Sequence, residues 1–103
     1  MKKLTIGFVL LSSSLMASVH AETAYKGSEY ASEAKLTLDQ AGNIAQKAYP
    51  GTVTEVELEH KIGGSGLRYS FDIRAHHMTH EVAVDAKTGD ILKNIREPES
   101  DKD

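Results

Sequence analysis

The sequence predicts a small α+β domain in which one N-terminal helix packs on a four-stranded antiparallel sheet, in the order α-β-β-β-β, with disordered tails. Three observations predict this fold class. A capped amphipathic segment is followed by a helix stop at residues 49–51. Two later segments alternate apolar and polar residues with the period of a half-buried strand. A turn at residues 85–89 then separates two short apolar segments, which we interpret as a last hairpin.

The predicted helix begins after Thr37. This residue and Gln40 have the spacing of a capping box, and Asp39 in the first turn suits the helix dipole. Pro50 ends the helix because it disfavours the α conformation at Tyr49. Apolar side chains recur at helical spacing and predict a core-facing stripe, made up of Leu38, Ala41, Ile44, Ala45 and Ala48.

Two alternating strands follow the helix. The first is predicted to face the core with Thr54, Val56 and Leu58 and to carry Glu55, Glu57 and Glu59 on the other side. The second runs from Leu67 to Ala75 with the same alternation. We interpret the glutamates as a solvated sheet face, balanced by Arg68 and Arg74 on the neighbouring strand. The glycine-rich stretch 63–66 precedes a strand, so it is a turn and not a phosphate-binding loop.

The last hairpin has specific turn chemistry. The Asp85 carboxylate can accept the backbone N–H groups of the loop, and Gly89 supplies the positive φ that closes it. Val82, Val84 and Ile91 are predicted to share one sheet face, with Asp85 opposite Asp90. Calcium binding by this loop is excluded because an EF-hand needs several more acidic ligands and a terminal glutamate.

The start of the chain predicts its location. A short positive region precedes an apolar run, and small residues lead to Ala21, after which we expect a signal peptidase to cut. The mature protein is then periplasmic or secreted, with no membrane insertion after cleavage. The predicted organisation is a signal peptide over 1–21, a mobile leader over 22–35, a folded domain over 36–96 and a charged disordered tail over 97–103.

Composition excludes several classes of function. The chain has no cysteine, so disulfides and thiolate metal sites are ruled out. It has 12 basic and 15 acidic residues, and signal cleavage removes Lys2 and Lys3. An acidic protein without a basic stripe is a poor nucleic-acid binder, and we expect no such partner. The residues form no recognisable catalytic motif, so we expect no enzyme.

The combination of segments resembles a PepSY domain. The segments that carry the resemblance are Leu-Thr-Leu-Asp-Gln-Ala-x-x-Ile-Ala, Tyr-Pro-Gly, Val-Thr-Glu-Val-Glu-Leu-Glu, Tyr-Ser-Phe-Asp-Ile and Glu-Val-Ala-Val-Asp-Ala-Lys-Thr-Gly-Asp-Ile-Leu, between residues 36 and 95. The resemblance implies a helix on an antiparallel sheet, and either peptidase inhibition or regulation at the cell envelope. It offers no catalytic residues, and Pro50, Gly51, Asp85 and Gly89 match positions that look architectural.

A histidine-rich turn departs from that pattern. If Ala75 pairs with Val82, His77 lies opposite His80, where two imidazoles can share a Zn²⁺ or Cu²⁺ ion. His76, His77 and His80 are therefore candidate ligands of a Zn²⁺ or Cu²⁺ ion, and the residues suggest no other cofactor. The alternatives are solvent-exposed turn residues or a pH-responsive patch.

Three functions follow from the sequence. The first is a non-catalytic module that regulates a peptidase or a sensor ectodomain in the periplasm. The second is a periplasmic metal-binding or metal- and pH-sensing protein that uses the His76–His80 hairpin. The third is a peptidase inhibitor that acts as a detached propeptide.

Overall fold

The computed structural model describes residues 24–98, and the predicted signal peptide and most of the charged tail lie outside this range. The four strands form one antiparallel sheet in the order β1-β2-β3-β4, and one α-helix packs on it, which confirms the predicted fold class. The elements are a 3-10 helix at Ser28–Glu33, α1 at Leu38–Ala48, β1 at Thr52–His60, β2 at Leu67–Ala75, β3 at Met78–Asp85 and β4 at Ile91–Arg96.

Both ends of α1 follow the predicted chemistry. The Gln40 N–H donates to Thr37 Oγ1 at 3.0 Å, and the Thr37 N–H donates to Gln40 Oε1 at 2.8 Å, so the capping box is present. After the helix the chain becomes extended at Tyr49, which precedes Pro50. The Gln46 amide then fixes the turn, because it bonds to both the N–H and the carbonyl of Gly51 at 3.0 Å.

The core lies between α1 and the inner face of the sheet. Ala41 and Ala45 are fully buried, and their small side chains let α1 approach β2, β3 and β4 closely. The strands fill the space below with large apolar side chains, namely Leu58, Leu67, Tyr69, Phe71, Ile73, Val82 and Val84. Because α1 lies over β2, β3 and β4, the inner face of β1 is left partly uncovered.

A bulge in β1 corrects the predicted phase of this strand. Val53 pairs with Ile73 and Glu55 pairs with Asp72, so Thr54 is the extra residue between them. Thr54 is exposed, and Val53 takes the inward position that the alternation assigned to Thr54. Strict alternation predicted the wrong residue because a bulge shifts the side-chain phase by one position.

The predicted turn between β3 and β4 is confirmed. Asp85 Oδ1 accepts the Lys87 N–H at 2.8 Å and the Thr88 N–H at 3.1 Å. Gly89 has a φ of 85° and donates its N–H to the Asp85 carbonyl at 2.9 Å. The Asp85 N–H also reaches the Asp90 carbonyl at 2.8 Å, which places these two residues opposite each other as predicted.

The segment from residue 24 to residue 35 differs from the mobile leader that the sequence predicts over 22–35. Lys26 forms a parallel bridge with Glu57, and the Leu58 N–H donates to the Lys26 carbonyl at 2.8 Å. Tyr25 and Tyr30 pack against the core. Burial of two aromatic rings and pairing with an unoccupied strand edge stabilise a segment that shows no periodicity of its own.

Candidate functional surfaces and the histidine hairpin

The hairpin between β2 and β3 has a different register from the one predicted. Ala75 pairs with Met78, and the two-residue turn consists of His76 and His77, with φ values of 54° and 63°. Two successive positive φ angles match the twist of a tight antiparallel hairpin. The predicted pairing of His77 with His80 is therefore wrong, because the turn lies two residues earlier than the pairing required.

His80 lies on β3, where it has partners other than the turn histidines. Its ring stacks on the Tyr49 ring with centroids 3.7 Å apart and planes inclined by 4°. Its Nδ1 lies 2.9 Å from Asn94 Oδ1, and the Asn94 amide in turn reaches the Ala48 carbonyl at 3.4 Å. His80 thus joins the end of α1 to β4.

The three histidines therefore occupy separate environments. His76 and His77 are exposed at the turn, whereas His80 is half-buried against Tyr49. Within residues 24–98, no three His, Asp or Glu side chains are grouped so that they could hold a metal ion. Metal binding by His76, His77 and His80 stays a prediction.

The outer face of the sheet carries a strongly acidic cleft of about 200 Å³. Ser70 and Lys61 line part of it. The other lining side chains are carboxylates on β1, β2 and β3 and, just after β4, one more: Glu55, Glu57, Glu59, Asp72, Glu81 and Glu97. From the sequence we expected Arg68 and Arg74 to balance the charge of the β1 glutamates. The arginines instead donate to uncharged groups, Arg68 to the Ile62 carbonyl at 3.1 Å and Arg74 to Thr79 Oγ1 at 3.3 Å.

The ion pairs on this face come from lysines. Lys26 lies 3.8 Å from Glu57, and Lys93 lies 3.2 Å from Glu81. Negative charge is still in excess at the centre of the cleft. Burial, together with Glu97, Glu55 and Glu81, raises the pKa of Asp72 to about 6. Burial and the neighbouring Glu59 also raise the pKa of Glu57 above its ordinary value.

A second surface is a groove of about 420 Å³ between α1 and β1. It exists because α1 covers β2, β3 and β4 and leaves the inner side chains of β1 partly open. Its floor is Val53, Val56 and Phe71, and its helix side presents Leu38 and Gly42 together with polar side chains. Among residues 24–98, no strand pairs with the outer edge of β1 before Glu57.

The third surface is the loop between β1 and β2, residues 61–66. Its fold depends on Asp85, which is only 1% exposed. The Asp85 carboxylate accepts the Ser65 N–H at 2.6 Å and the Ser65 hydroxyl at 2.7 Å. Sequence reasoning identified Asp85 as a local turn residue and missed this contact, because 20 positions separate the two residues.

The sequence of the helix and the sheet matches one known protein family. The family model described as "Peptidase propeptide and YPEB domain", named PepSY, matches residues 35–94, more than half of the chain. The chain belongs to the PepSY family. No curated protein and no solved structure gives a significant match.

The match covers the helix and nearly all of the sheet of this PepSY domain, but it does not include the N-terminal segment that packs on β1. It takes in all of α1, β1, β2 and β3 and all but the last two residues of β4. Residues 24–34, which pair with β1 and cover its end, lie before the match. PepSY domains are associated with peptidase propeptides and with inhibitor-like regulation.

Among residues 24–98 of this PepSY domain, no helix has the length and apolar character needed to span a membrane.

Proposed function

We propose that this PepSY domain is a non-catalytic regulatory module that binds a partner protein in the periplasm, namely a peptidase or the ectodomain of a sensor. The observation that carries the proposal is the match to a peptidase-propeptide family across α1 and the four-stranded sheet. A propeptide-type domain acts by contact with another protein, so its function lies in its surfaces and not in a catalytic centre.

The geometry supports protein recognition in three places. The groove beside α1 has an apolar floor, the acidic face carries an excess of negative charge, and the 61–66 loop is held by hydrogen bonds to the buried Asp85 carboxylate. An apolar contact surrounded by polar groups is the usual composition of a protein interface. The charged face adds specificity and a faster association rate with a basic partner more than it adds affinity.

The periplasmic location rests on the first 21 residues, which have the pattern of a secretory signal. PepSY domain proteins are typically extracytoplasmic, which agrees with this interpretation. A periplasmic peptidase and a sensor ectodomain are both accessible to a protein exported in this way.

The test is an inhibition assay with the mature protein, residues 22–103, against a panel of thermolysin-like peptidases. We expect dose-dependent inhibition of at least one enzyme, with the PepSY protein still intact at the end of the reaction by mass spectrometry. Survival of the protein separates an inhibitor from a competing substrate. An acidic protein of the same size serves as the control for nonspecific effects.

A second assay covers the sensor alternative. The mature protein, immobilised through its C-terminus, is incubated with envelope extract, and bound proteins are identified by mass spectrometry. We expect enrichment of a peptidase or a sensor protein over the acidic control. If no peptidase is inhibited and no envelope protein is enriched, the regulatory function is wrong.

A further inference from the structure

Ile62 is the most exposed large apolar side chain between residues 24 and 98. It is 96% exposed, whereas Ile95 and Ile91 are 52% and 42% exposed. It lies in the loop between β1 and β2, beside a shallow hollow of about 370 Å³ that His60, Lys61 and Gly66 also line. An isoleucine held in water contributes no burial to the stability of the domain. Its side chain is therefore free to be buried against another molecule.

The backbone around Ile62 is fixed by hydrogen bonds on both sides. The Ile62 carbonyl accepts a bond from the guanidinium of Arg68 at 3.1 Å, and Arg68 is itself only 8% exposed. The Lys61 N–H donates to the Gly66 carbonyl at 3.0 Å, and the Gly66 N–H donates to the Gly63 carbonyl at 3.0 Å. The loop is thus closed on itself and tied to β2.

A second attachment joins the loop to the opposite hairpin. Ser65 donates two hydrogen bonds to the buried Asp85 carboxylate, as described above. The start of the loop is held as well, because His60 Nε2 lies 2.8 Å from Glu33 Oε1 and the His60 ring contacts the Tyr30 ring edge-on at 4.5 Å. A loop held at its start, middle and end loses little conformational entropy when it binds.

We propose that the 61–66 loop is the docking element of this PepSY domain, and that Ile62 inserts into an apolar specificity pocket of a peptidase. This inference rests on the proposed regulatory function. Peptidases recognise substrates by side-chain pockets, and a pocket for a branched aliphatic side chain is the complement of a single projecting isoleucine. The family match to peptidase propeptides indicates this class of partner over a sensor ectodomain.

The direct test compares Ile62→Ala and Ile62→Asp with Ile95→Ala, using a peptidase that the wild-type protein inhibits. Ile95 is the matched control because it is also exposed but lies on β4. We expect Ile62→Ala to raise the inhibition constant about tenfold or more and Ile62→Asp to raise it further, because a pocket loses one buried side chain or gains a charge. Ile95→Ala should stay within about twofold of the wild type. Equal thermal midpoints for all four proteins would show that folding is unaffected.

A third variant tests whether loop order contributes to binding. Ser65→Ala removes the hydroxyl bond to Asp85 and leaves Ile62 in place. As a single substitution, we expect it to weaken inhibition. In the Ile62→Ala background we expect no further loss, since the rigidity of the loop matters only when Ile62 occupies the pocket. Additive effects of the two substitutions would contradict the proposed role of loop order.

The outcomes separate the inference from the function on which it rests. If the wild-type protein inhibits a peptidase and Ile62→Ala inhibits it equally well, the docking element is wrong and the regulatory function stands. If the wild-type protein inhibits no peptidase in the panel, both the inhibitory function and the docking element are wrong. Sedimentation velocity provides the remaining outcome. A wild-type dimer that Ile62→Ala dissociates would assign Ile62 to a contact between two copies and would overturn the proposal.

Discussion

The Asp85 carboxylate accepts the backbone N–H of Ser65 at 2.6 Å and the Ser65 hydroxyl at 2.7 Å, across 20 positions of the chain. The same carboxylate accepts the N–H groups of Lys87 and Thr88. In an antiparallel sheet of sequential strands, the first and third connections lie at the same end. Asp85 uses this proximity to join the two loops, so one buried side chain organises the β3–β4 turn and supports the loop that carries Ile62.

Replacement of Asp85 by Asn should destabilise the domain. Asn keeps one oxygen acceptor but places an amide donor where an oxygen now accepts the Ser65 N–H, so that N–H loses its acceptor and faces another donor. We expect the free energy of unfolding to fall by about 1–3 kcal/mol in urea denaturation. Asp90→Asn is the matched control, because the Asp90 side chain is exposed and its backbone carbonyl, which bonds to Asp85, is unchanged. Equal effects of the two substitutions would contradict this role of Asp85.

The same carboxylate predicts a stability loss in acid. Burial raises the pKa of Asp85, but hydrogen bonds from Ser65, Lys87 and Thr88 outweigh burial and lower it to about 2, from an ordinary value of 3.8. Because the folded pKa is the lower one, this contribution to stability is present above about pH 4 and is lost as the pH falls towards 2. We expect Asp85→Asn to flatten the pH dependence of the thermal midpoint in this interval. An unchanged slope would contradict the lowered pKa.

Asp72 predicts a pH dependence of the opposite sign. Burial and the nearby Glu97, Glu55 and Glu81 raise its folded pKa to about 6, above the ordinary 3.8. The folded state therefore binds more protons than the unfolded state between these pH values. The contribution of protonated Asp72 to stability is present below about pH 4 and is lost as the pH rises through 6. Asp72→Asn should accordingly raise the thermal midpoint at pH 7.5 and leave it unchanged near pH 3.5.

Carboxyl carbon NMR gives the direct measurement of this pKa. The Asp72 resonance should titrate near pH 6 in the wild-type protein and at a lower pH in Glu97→Gln, which removes one neighbouring charge. Glu29→Gln is the control for loss of a carboxylate, since Glu29 is exposed on the 3-10 helix. Titration of Asp72 near its ordinary value of 3.8 would contradict the electrostatic account of the acidic cleft.

Gly27 and Gly66 provide a matched pair for testing the packing of the N-terminal segment. Both have positive φ, 87° and 95°, so alanine at either position costs about 1–2 kcal/mol of backbone strain. A Cβ on Gly27 would also collide with the Leu58 carbonyl, whereas one on Gly66 meets nothing within 4 Å. Gly27→Ala should therefore detach the segment from β1. Hydrogen exchange at the Leu58 N–H should accelerate in Gly27→Ala and remain slow in Gly66→Ala.

The observed register of the β2–β3 hairpin predicts a stabilising substitution. His76 and His77 both hold positive φ, which Asn-Gly adopts with less strain. Asn-Gly at these two positions should raise the free energy of unfolding by about 1 kcal/mol. The control places Asn-Gly at Met78 and Thr79, which are paired β3 residues and should then be destabilised. The reverse ranking of the two variants in urea denaturation would contradict the observed turn.

Local chemistry explains why much of the fold was predictable. The Thr37 capping box, the stop at Pro50 and the Asp85–Gly89 turn each depend on atoms within a few residues of one another. Their residue types strongly favour the observed local conformation of the backbone. The fold class and the PepSY resemblance followed from these signals. The observed helix and sheet confirm the first, and the family match confirms the second.

Long-range packing decided the features that were not predictable. The bulge after Val53, the turn at His76 and the pairing of Lys26 with β1 depend on which side chains fit the core and which edge is unoccupied. The predicted metal site used a register that the sequence does not determine, since a shift of the turn by two residues preserves the alternation of faces.

The sequence by itself determined the helix, the number of strands and the chemistry of the last turn, because these depend on neighbouring residues. Only the tertiary structure decided how those elements present a surface. It showed that Asp85 holds Ser65, that the carboxylates of three strands share one cleft, and that Ile62 projects from an anchored loop. These features arise where distant segments meet, and the free energy of such contacts depends on distances in space that the order of residues does not encode.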